Sequence, residues 1–557
     1  MHEAAYRTRS GHVVATRVST FTARSFARLA VANTVVAVSF AMMLMMLAWP
    51  AGAAAQPNVD LGADYVNRAN MLYRDVPSSR AGHNELLMGL MDLARPPAPA
   101  DTPDKAALLT MELSSWPAVE SWADRPGSRR ALDALERFTG ARQHEEVPVF
   151  AQPYGVEGVP RELIDAGLYT ELGSPPLLAS ADHGYLERMG WLRSLVHVEA
   201  TRLMGEGEAD EALDLLISLL VFGRQMADRQ FFAESVWGME TMVDAVRRAR
   251  DVVYVDFHTT REVRIEAIEE MIGVLAPDAG VLALDRLRLP GANKVAARQL
   301  VAEMYEPGDG TDTGFGITVA RLESSARPLR RFGAVGSAQD LADDQLEWEG
   351  IVSEIDAVFG DWEKRWTLGA FDPLLKQPSA YASFDRGPRQ AVFLAAGSRL
   401  RGRVVSGDDL FELRRVFEAA RVGTRMSLAV VGRTRVVGQH PPTLRFVRPA
   451  FVDRLDSDPY NENRERGAQP EPMYFAPVDG DPIAARPERM RVRARGESFT
   501  WSVLDSHFIL YSVGNDGDDD LADDVGESPA DGGDDVLFWP PAISLLRSHL
   551  EASGSLR

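Results

Sequence analysis

Apolar residues in the middle of the chain recur with the spacing of buried helix faces. Two such faces lie between residues 192 and 221, and Gly205-Glu-Gly207 separates them. In the second face, Leu213, Leu216 and Leu220 follow the spacing that places one stripe of a helix in a core. The pattern predicts a helical hairpin that resembles a tetratricopeptide-like unit. A repeat array needs several such units, and no second copy follows at a fixed spacing, so we predict an irregular helical domain.

Helical periodicity continues on the C-terminal side of this hairpin. The predicted helices cover Ala233–Tyr254, a segment from Thr259 to just before Pro277, about 340–366, and 407–431. The start at Thr259 is predicted from Thr259-Thr-Arg-Glu262, which has the form of a capping box. Residues 306–345 contain several glycines and predict a long connection.

Beyond residue 442 the period changes to the alternation and β-rich composition typical of short strands. The predicted elements are strands at Pro472–Ala476, Arg489–Arg495, Phe499–Leu504, Phe508–Val513 and Asp535–Trp539, and a helix at Ala542–Leu550. We therefore predict a mainly α-helical domain over residues 56–400. A small α+β domain with an antiparallel sheet is predicted over residues 401–557.

The first 55 residues are typical of an export signal. Arginines precede an uncharged, mostly apolar run from Leu29 to Trp49, and Ala53 and Ala55 provide small residues for cleavage. The apolar run is also long enough to remain as a membrane anchor. Both alternatives predict export to the periplasm or cell envelope. Contact with the membrane is expected only through residues 29–49, and only if they are not cleaved.

Charge and cysteine content restrict the classes of function. The chain has 557 residues and a net charge of −21, which argues against nucleic acid or an anionic membrane surface as a partner. It contains no cysteine, so disulfides, thiolate metal sites and cysteine nucleophiles are excluded.

Sequence motifs for catalysis are weak. The chain has no Gly-x-Ser-x-Gly elbow, phosphate-binding loop or dinucleotide fingerprint. His144-Glu-Glu146, and Asp182-His183 with Glu187, lack the helical spacing of a zinc site and are interpreted as exposed polar residues. His197 is interpreted as a core or rim histidine, and Asp312-Thr-Gly314 as a turn. No catalytic residue is predicted.

An acidic segment near the C-terminus is the most distinctive feature. Ten acidic side chains and no basic one lie between Asp516 and Asp535. Because closely spaced carboxylates repel one another, the segment is either a solvated loop or a site for a hard cation such as Ca²⁺. An EF-hand is a further alternative, with Asp516 at its first position and Glu527 at its twelfth. However, Leu521 stands where an EF-hand needs glycine.

The C-terminal third resembles the periplasmic domain of the major pseudopilin of type II secretion systems. The matching positions are the helix 407–431, His440-Pro-Pro442, Asp458-Pro-Tyr460, Tyr474-Phe475, the strand and turn 510–517, and Asp534-Asp535. In that family the loop binds one Ca²⁺. The resemblance implies a Ca²⁺ site formed by the backbone carbonyls of Val513 and Asp518 and by the side chains of Asp516, Asp534 and Asp535.

Two departures from the family separate this chain from pilus assembly. A prepilin-peptidase site is absent around residues 20–30, and a long helical region precedes the matching part. We therefore predict an exported, non-enzymatic interaction or scaffold protein of the cell envelope, with a structural Ca²⁺ and an unidentified protein partner. The alternative is an envelope hydrolase whose Asp, Glu and His residues are dispersed through the helical domain.

Overall fold

The structure, a computed structural model, describes most of the chain after residue 60. The described residues are 61–556, without 78–79, 141–147, 175, 306–347, 385–396, 402, 462–470, 477–486 and 505. The predicted export signal, the connection 306–345 with Asp312-Thr-Gly314, and His144-Glu-Glu146 lie outside the described residues.

Helices make up most of the part before residue 400. They are α1 Leu61–Arg74, α2 His83–Leu90, α3 Pro103–Leu108, α4 Trp116–Ala123, α5 Pro126–Thr139, α6 Arg161–Asp165, α7 Tyr185–Glu206, α8 Ala209–Ala227, α9 Phe232–His258, α10 Ile265–Val274, α11 Ala292–Tyr305 and α12 Trp348–Trp366. Later in the chain come α13 Gly407–Val437 and α14 Ala542–Ala552. The strands are β1 Thr170–Glu171, β2 Asp182–His183, β3 Ser398–Leu400, β4 Arg403–Val405, β5 Met473–Phe475, β6 Arg489–Ala494, β7 Glu497–Ser502, β8 Ile509–Ser512, β9 Asp524–Gly526 and β10 Asp535–Trp539.

The predicted helical hairpin is confirmed as α7 and α8. Gly207 ends α7 with a left-handed backbone (φ 81°), and its N–H bonds to the carbonyls of Leu203 and Met204. Glycine adopts this conformation without the strain that a Cβ atom would add. The chain therefore reverses within a few residues, and α8 packs back along α7.

Helix α9 is the long central helix of the fold. It packs against α8 on one side and against α13 on another. The capping box predicted at Thr259 is wrong, because the next helix begins at Ile265. Asp256 explains the difference, since its Oδ1 accepts hydrogen bonds from the N–H groups of Glu262 and Val263 at 2.6 and 3.3 Å. The segment is held as a turn after α9.

The C-terminal strands form a six-stranded sheet with the order β5-β8-β10-β9-β6-β7. The pairs β5–β8, β8–β10 and β6–β7 are antiparallel, whereas β9 is parallel to both of its neighbours. The predicted fold class, a mainly α part followed by a small α+β part, is confirmed. The parallel pairings arise from β9, a strand inside the acidic segment that was not predicted.

One hydrophobic core extends across residue 400. It contains residues of α8, α9, α13, β8 and β10, and Leu61–Arg557 group together as one compact unit. The boundary near residue 400 stays a division based on sequence, while side chains from both sides of it share this core. None of the helices within the described ranges is both long and apolar enough to cross a membrane.

Glycine allows α13 to approach β10 closely. A Cβ atom at Gly423 would lie 2.3 Å from the ring of Phe538. Because Phe538 is itself buried in the core, the ring has little space into which it can move. The sheet therefore packs directly on the backbone of the helix at this point.

We expect Gly423→Ala to lower the free energy of unfolding by about 1–3 kcal/mol through overpacking. Gly190 is the matched control, because it also lies within a helix but a Cβ atom there meets no atom within 4 Å. Gly190→Ala should leave stability unchanged or raise it by up to about 1 kcal/mol. Denaturant unfolding of the two variants measures both changes in the free energy of unfolding. Equal effects would contradict the close packing of α13 on β10.

Candidate functional site

The acidic segment is not a single open loop. Asp524 lies in β9 and forms hydrogen-bonded ion pairs with Arg493 at 2.6 and 2.8 Å. Glu527 is buried, and its carboxylate lies 3.7 Å from Arg247 and 3.8 Å from Arg495. Arginines that are distant in sequence thus neutralise two of the ten acidic groups. The EF-hand alternative is wrong, because Glu527 has these partners and a strand, not a helix, precedes the segment.

The ends of the segment meet at the edge shared by β8 and β10. Val536 pairs with Ser512, which places Asp534 beside Gly514. A Cβ atom at Gly514 would lie 1.8 Å from the carbonyl oxygen of Asp534, and the glycine has a φ of 71°. Only glycine fits such a close approach. The closing aspartates therefore return to the start of the acidic run.

Asp535 is the buried centre of this region, with a relative exposure of 0%. Its Oδ2 accepts a hydrogen bond from the N–H of Ala522 at 3.0 Å. Its Oδ1 is buried without any hydrogen-bond partner among the described residues. A buried carboxylate oxygen without a donor is unfavourable, so this atom needs either a proton or a cation.

Other carboxylates of the acidic run influence the charge of Asp535. Burial, together with the nearby charges of Asp519, Asp520 and Asp516, raises the pKa of Asp535 to about 7. Burial and neighbouring carboxylates, Asp534 first among them, also raise the pKa of Asp520. These raised pKa values reflect burial first and the repulsion of the other carboxylates second.

The five predicted ligands differ in their surroundings. Asp516, Asp534 and Asp535 contribute to the cluster, and the N–H of Val513 is held by Asp458 at 3.3 Å. Asp518 is exposed, and its N–H donates to Asp516 Oδ1 at 3.2 Å. Across the described ranges, no three Asp, Glu or His side chains converge closely enough to hold a metal ion. The ligand set therefore stays a prediction.

Sequence reasoning missed two members of the cluster. Asp519 accepts a hydrogen bond from the Tyr511 hydroxyl at 2.7 Å and from the N–H of Leu521 at 3.0 Å. Asp520 is exposed beside it. Their position in a dense acidic run could have indicated them, but the resemblance drew attention to other positions. All these side chains offer hard carboxylate oxygen atoms as metal ligands, and such ligands fit Ca²⁺ better than a softer metal.

Asp458 holds the residues that precede the acidic run. It is fully buried, and its Oδ1 accepts hydrogen bonds from the Ser512 hydroxyl and from the N–H of Tyr460, the latter at 3.0 Å. Its Oδ2 accepts from the N–H of Val513. This carboxylate therefore attaches the 458–460 segment to the end of β8, immediately before the acidic run.

Comparison with known protein families, curated proteins and solved structures finds no match. The pseudopilin resemblance therefore stays a prediction that rests on the matching positions between residues 407 and 535.

His183 does not lie where the sequence predicted. It is 9% exposed, so its interpretation as an exposed residue is wrong. Its Nδ1 lies 3.0 Å from the Thr170 hydroxyl and 4.0 Å from the carboxylate of Glu234. Burial lowers the pKa of His183, against the opposing charge of Glu234. His183 also lines a cavity of about 790 Å³ together with Asp182 and Glu187.

The network behind His183 is fully enclosed. Glu234 accepts hydrogen bonds from the Tyr154 hydroxyl at 2.7 Å, from Arg229 Nε at 2.6 Å and from the Tyr185 hydroxyl. Glu234 and Arg229 form a buried ion pair whose neighbours satisfy it. His197 is confirmed as a core residue, and burial lowers its pKa to about 3.

The Asp535 carboxylate predicts an unusual pH dependence when divalent cations are removed. Its pKa of about 7 exceeds the value of about 3.9 expected in the unfolded chain. The protonated group therefore favours the native state fully below about pH 4, and this stabilisation is lost as the pH rises through 7.

In chelator, we expect wild type to lose stability relative to Asp535→Asn by on the order of 2 kcal/mol between pH 5 and pH 8. Denaturant unfolding at both pH values measures the difference. Asp523→Asn, an exposed aspartate of the same run, should follow wild type. Identical slopes for wild type and Asp535→Asn would show that Asp535 does not titrate as a buried group.

Proposed function

We propose that the chain is an exported, non-enzymatic interaction protein of the cell envelope whose C-terminal α+β part is stabilised by one Ca²⁺. The observation that carries the calcium proposal is the buried Oδ1 of Asp535, which has no partner within the described residues. The charges of three nearby side chains also raise the pKa of this carboxylate, those of Asp516, Asp519 and Asp520. A divalent cation would supply the missing partner and neutralise the repulsion.

The proposed role of the cation is structural. Asp535 begins β10, a central strand of the sheet, and Asp516 follows the turn after β8. A cation held between these segments would stabilise the native state by its binding free energy. Extracellular calcium modules function with dissociation constants near 10⁻⁴–10⁻³ M, so a weak site is sufficient in an exported protein.

The interaction role rests on the surface of the helical part. The cavity of about 790 Å³ lies between the start of α3, the start of α7, the middle of α9 and the β3–β4 hairpin. Carboxylates such as Glu187 and Glu240 line it together with the indole ring of Trp191. Polar and aromatic groups at one concave surface are typical of sites that hold a segment of a partner.

Calcium should raise the free energy of unfolding of the full chain. At a calcium concentration fifty times the dissociation constant, the expected gain is about 2 kcal/mol. Denaturant unfolding in Ca²⁺, in Mg²⁺ and in chelator measures it. The gain should be absent in Asp535→Asn and kept in Asp523→Asn. No gain in wild type, or an equal gain in Asp535→Asn, would overturn the calcium proposal.

The hydrolase alternative is favoured by one observation, the position of His183. The polar contacts of its ring with Thr170, Tyr185 and Glu234 all involve Nδ1, and the residue lines the cavity of about 790 Å³. A neutral imidazole held by its other nitrogen is suited to act as a general base.

Chromogenic ester, glycoside and peptide substrates distinguish the two functions. If the protein is non-enzymatic, wild type and His183→Asn should give the same background rate on every substrate. A wild-type rate that His183→Asn lowers at least a hundredfold, with unchanged denaturant unfolding, would favour the hydrolase. Trp191→Phe, on the same cavity wall, is the control for nonspecific effects on this surface.

A further inference from the structure

A histidine cluster, formed by His258, His440 and His507, joins three segments of the chain at the end of α9. His258 is the last residue of α9, His507 lies between β7 and β8, and His440 follows α13. The imidazole rings of His258 and His507 stack, with their centres 4.3 Å apart and their planes 18° apart. The ring centre of His440 lies 6.1 Å from that of Phe257 in α9. The cluster therefore connects the helical part to the connection that leads into β8.

His507 holds the connection between β7 and β8 against α9. The residue is buried, and its Nε2 lies 3.1 Å from the Tyr254 hydroxyl. Its backbone N–H donates to the carbonyl of Leu504 at 3.0 Å. Tyr254 also packs against His258, with ring centres 4.6 Å apart. The stack and the Tyr254 hydrogen bond therefore fix the connection at the same place on α9.

His258 takes part in the cluster through its ring faces alone. Its ring contacts those of Tyr254, Phe257 and His507 at 4.6, 5.1 and 4.3 Å between centres. Neither of its ring nitrogens forms a hydrogen bond or an ion pair among the described residues. The side chain is exposed, so a proton can reach it from solvent without any rearrangement. A phenyl ring in this position could make the same stacking contacts but could not be protonated.

The surroundings of His258 oppose its protonation. Its pKa is lowered to about 4, first by the loss of water from part of the ring and then by three groups that are positive when protonated, His507, Arg261 and His440. The nearest carboxylate along α9 is that of Asp256. It accepts from the N–H of Glu262 at 2.6 Å and pairs with Arg435 at 3.3 Å. A proton on His258 therefore adds a positive charge to a site that already repels it.

His440 holds the same connection from the side of α13. Its Nδ1 lies 3.2 Å from the hydroxyl of Thr434 near the end of α13. Burial lowers the pKa of His440, and the charge of Arg261 adds to this, against the opposing effect of a hydrogen bond with the backbone of Ser506. Ser506 immediately precedes His507. A loss of contact at His507 would therefore also disturb the contact with His440.

We propose that the histidine cluster is an acid-sensitive contact, which is closed while His258 is neutral and opens when His258 takes up a proton. Opening releases the connection between β7 and β8 from the end of α9. An open form has an ordinary histidine pKa near 6.5, so it binds more protons than the closed form between about pH 6.5 and pH 4. The contact is therefore fully stable above about pH 6.5 and is lost as the pH falls through 4. The inference does not depend on bound calcium.

Amide hydrogen exchange of the full chain at pH 7.5 and pH 5 tests the inference. The informative peptides contain the N–H of His507, which is protected by its bond to Leu504. After correction for the intrinsic exchange rate at each pH, the wild-type opening constant should be about fivefold larger at pH 5. Solvent around the exposed His258 keeps this effect moderate. His258→Phe should show a rise of at most about twofold, because only His440 is left to respond.

Two comparisons separate this contact from general acid sensitivity. His549 stacks on Phe499 with ring centres 4.6 Å apart, and His549→Phe should follow wild type. Other titrating groups, such as Asp535, are the same in all three proteins. Equal rises in wild type and His258→Phe, or no rise in wild type, would overturn the inference. An equal rise in peptides of α8 would also overturn it, because that result would show global unfolding.

A fixed charge tests whether the positive charge itself opens the contact. His258→Lys and His258→Gln both remove the stacked ring, but only lysine is positively charged at pH 7.5. The opening constant at pH 7.5 should therefore be severalfold larger in His258→Lys than in His258→Gln. Equal opening in the two variants would show that the charge is not the trigger, and would overturn the inference.

Discussion

The carboxylate of Asp251, fully buried in the C-terminal half of α9, holds three parts of the chain together. Arg547 of α14 donates to it from both terminal nitrogens at 2.8 and 3.1 Å, and Ser544 and Arg248 donate to it as well. Arg547 also reaches the carbonyl of Ala107 in α3 at 2.7 Å. Burial alone would raise the pKa of Asp251, but the two guanidinium groups hold it well below the usual range. Breaking such a group typically costs about 3–5 kcal/mol.

Local sequence patterns were sufficient to predict helices and strands wherever burial follows a regular period. The prediction of Ala233–Tyr254 falls within α9, and Asp535–Trp539 matches β10, because continuous apolar faces mark both elements. Strand β9 could not be predicted in this way. It has three residues in an acidic run, and it is a strand only because β6 and β10 lie on either side of it. The start of a helix at Thr259 failed for a related reason, since Asp256 captures the N–H groups that a cap would have used.

The candidate site shows that local sequence patterns also cannot predict which charged side chains pair. The sequence indicated the return of Asp534 and Asp535, because a turn and a strand follow the acidic run. It could not show which carboxylates have partners, since Arg493 and Arg247 are distant in the sequence from Asp524 and Glu527. Once these pairs are formed, the unbalanced charge is concentrated around Asp535. The acidic run is thus part sheet and part candidate cation site, which composition alone cannot separate.

Asp458 connects the candidate cation site to the segment 458–460. Its carboxylate accepts hydrogen bonds from the N–H of Tyr460 and from the Ser512 hydroxyl and the Val513 N–H, which end the strand before the acidic run. The end of β8 and the segment 458–460 therefore share one buried support. Because a ligand that binds only the native state stabilises all of it, a cation held by the acidic run would also stabilise this support.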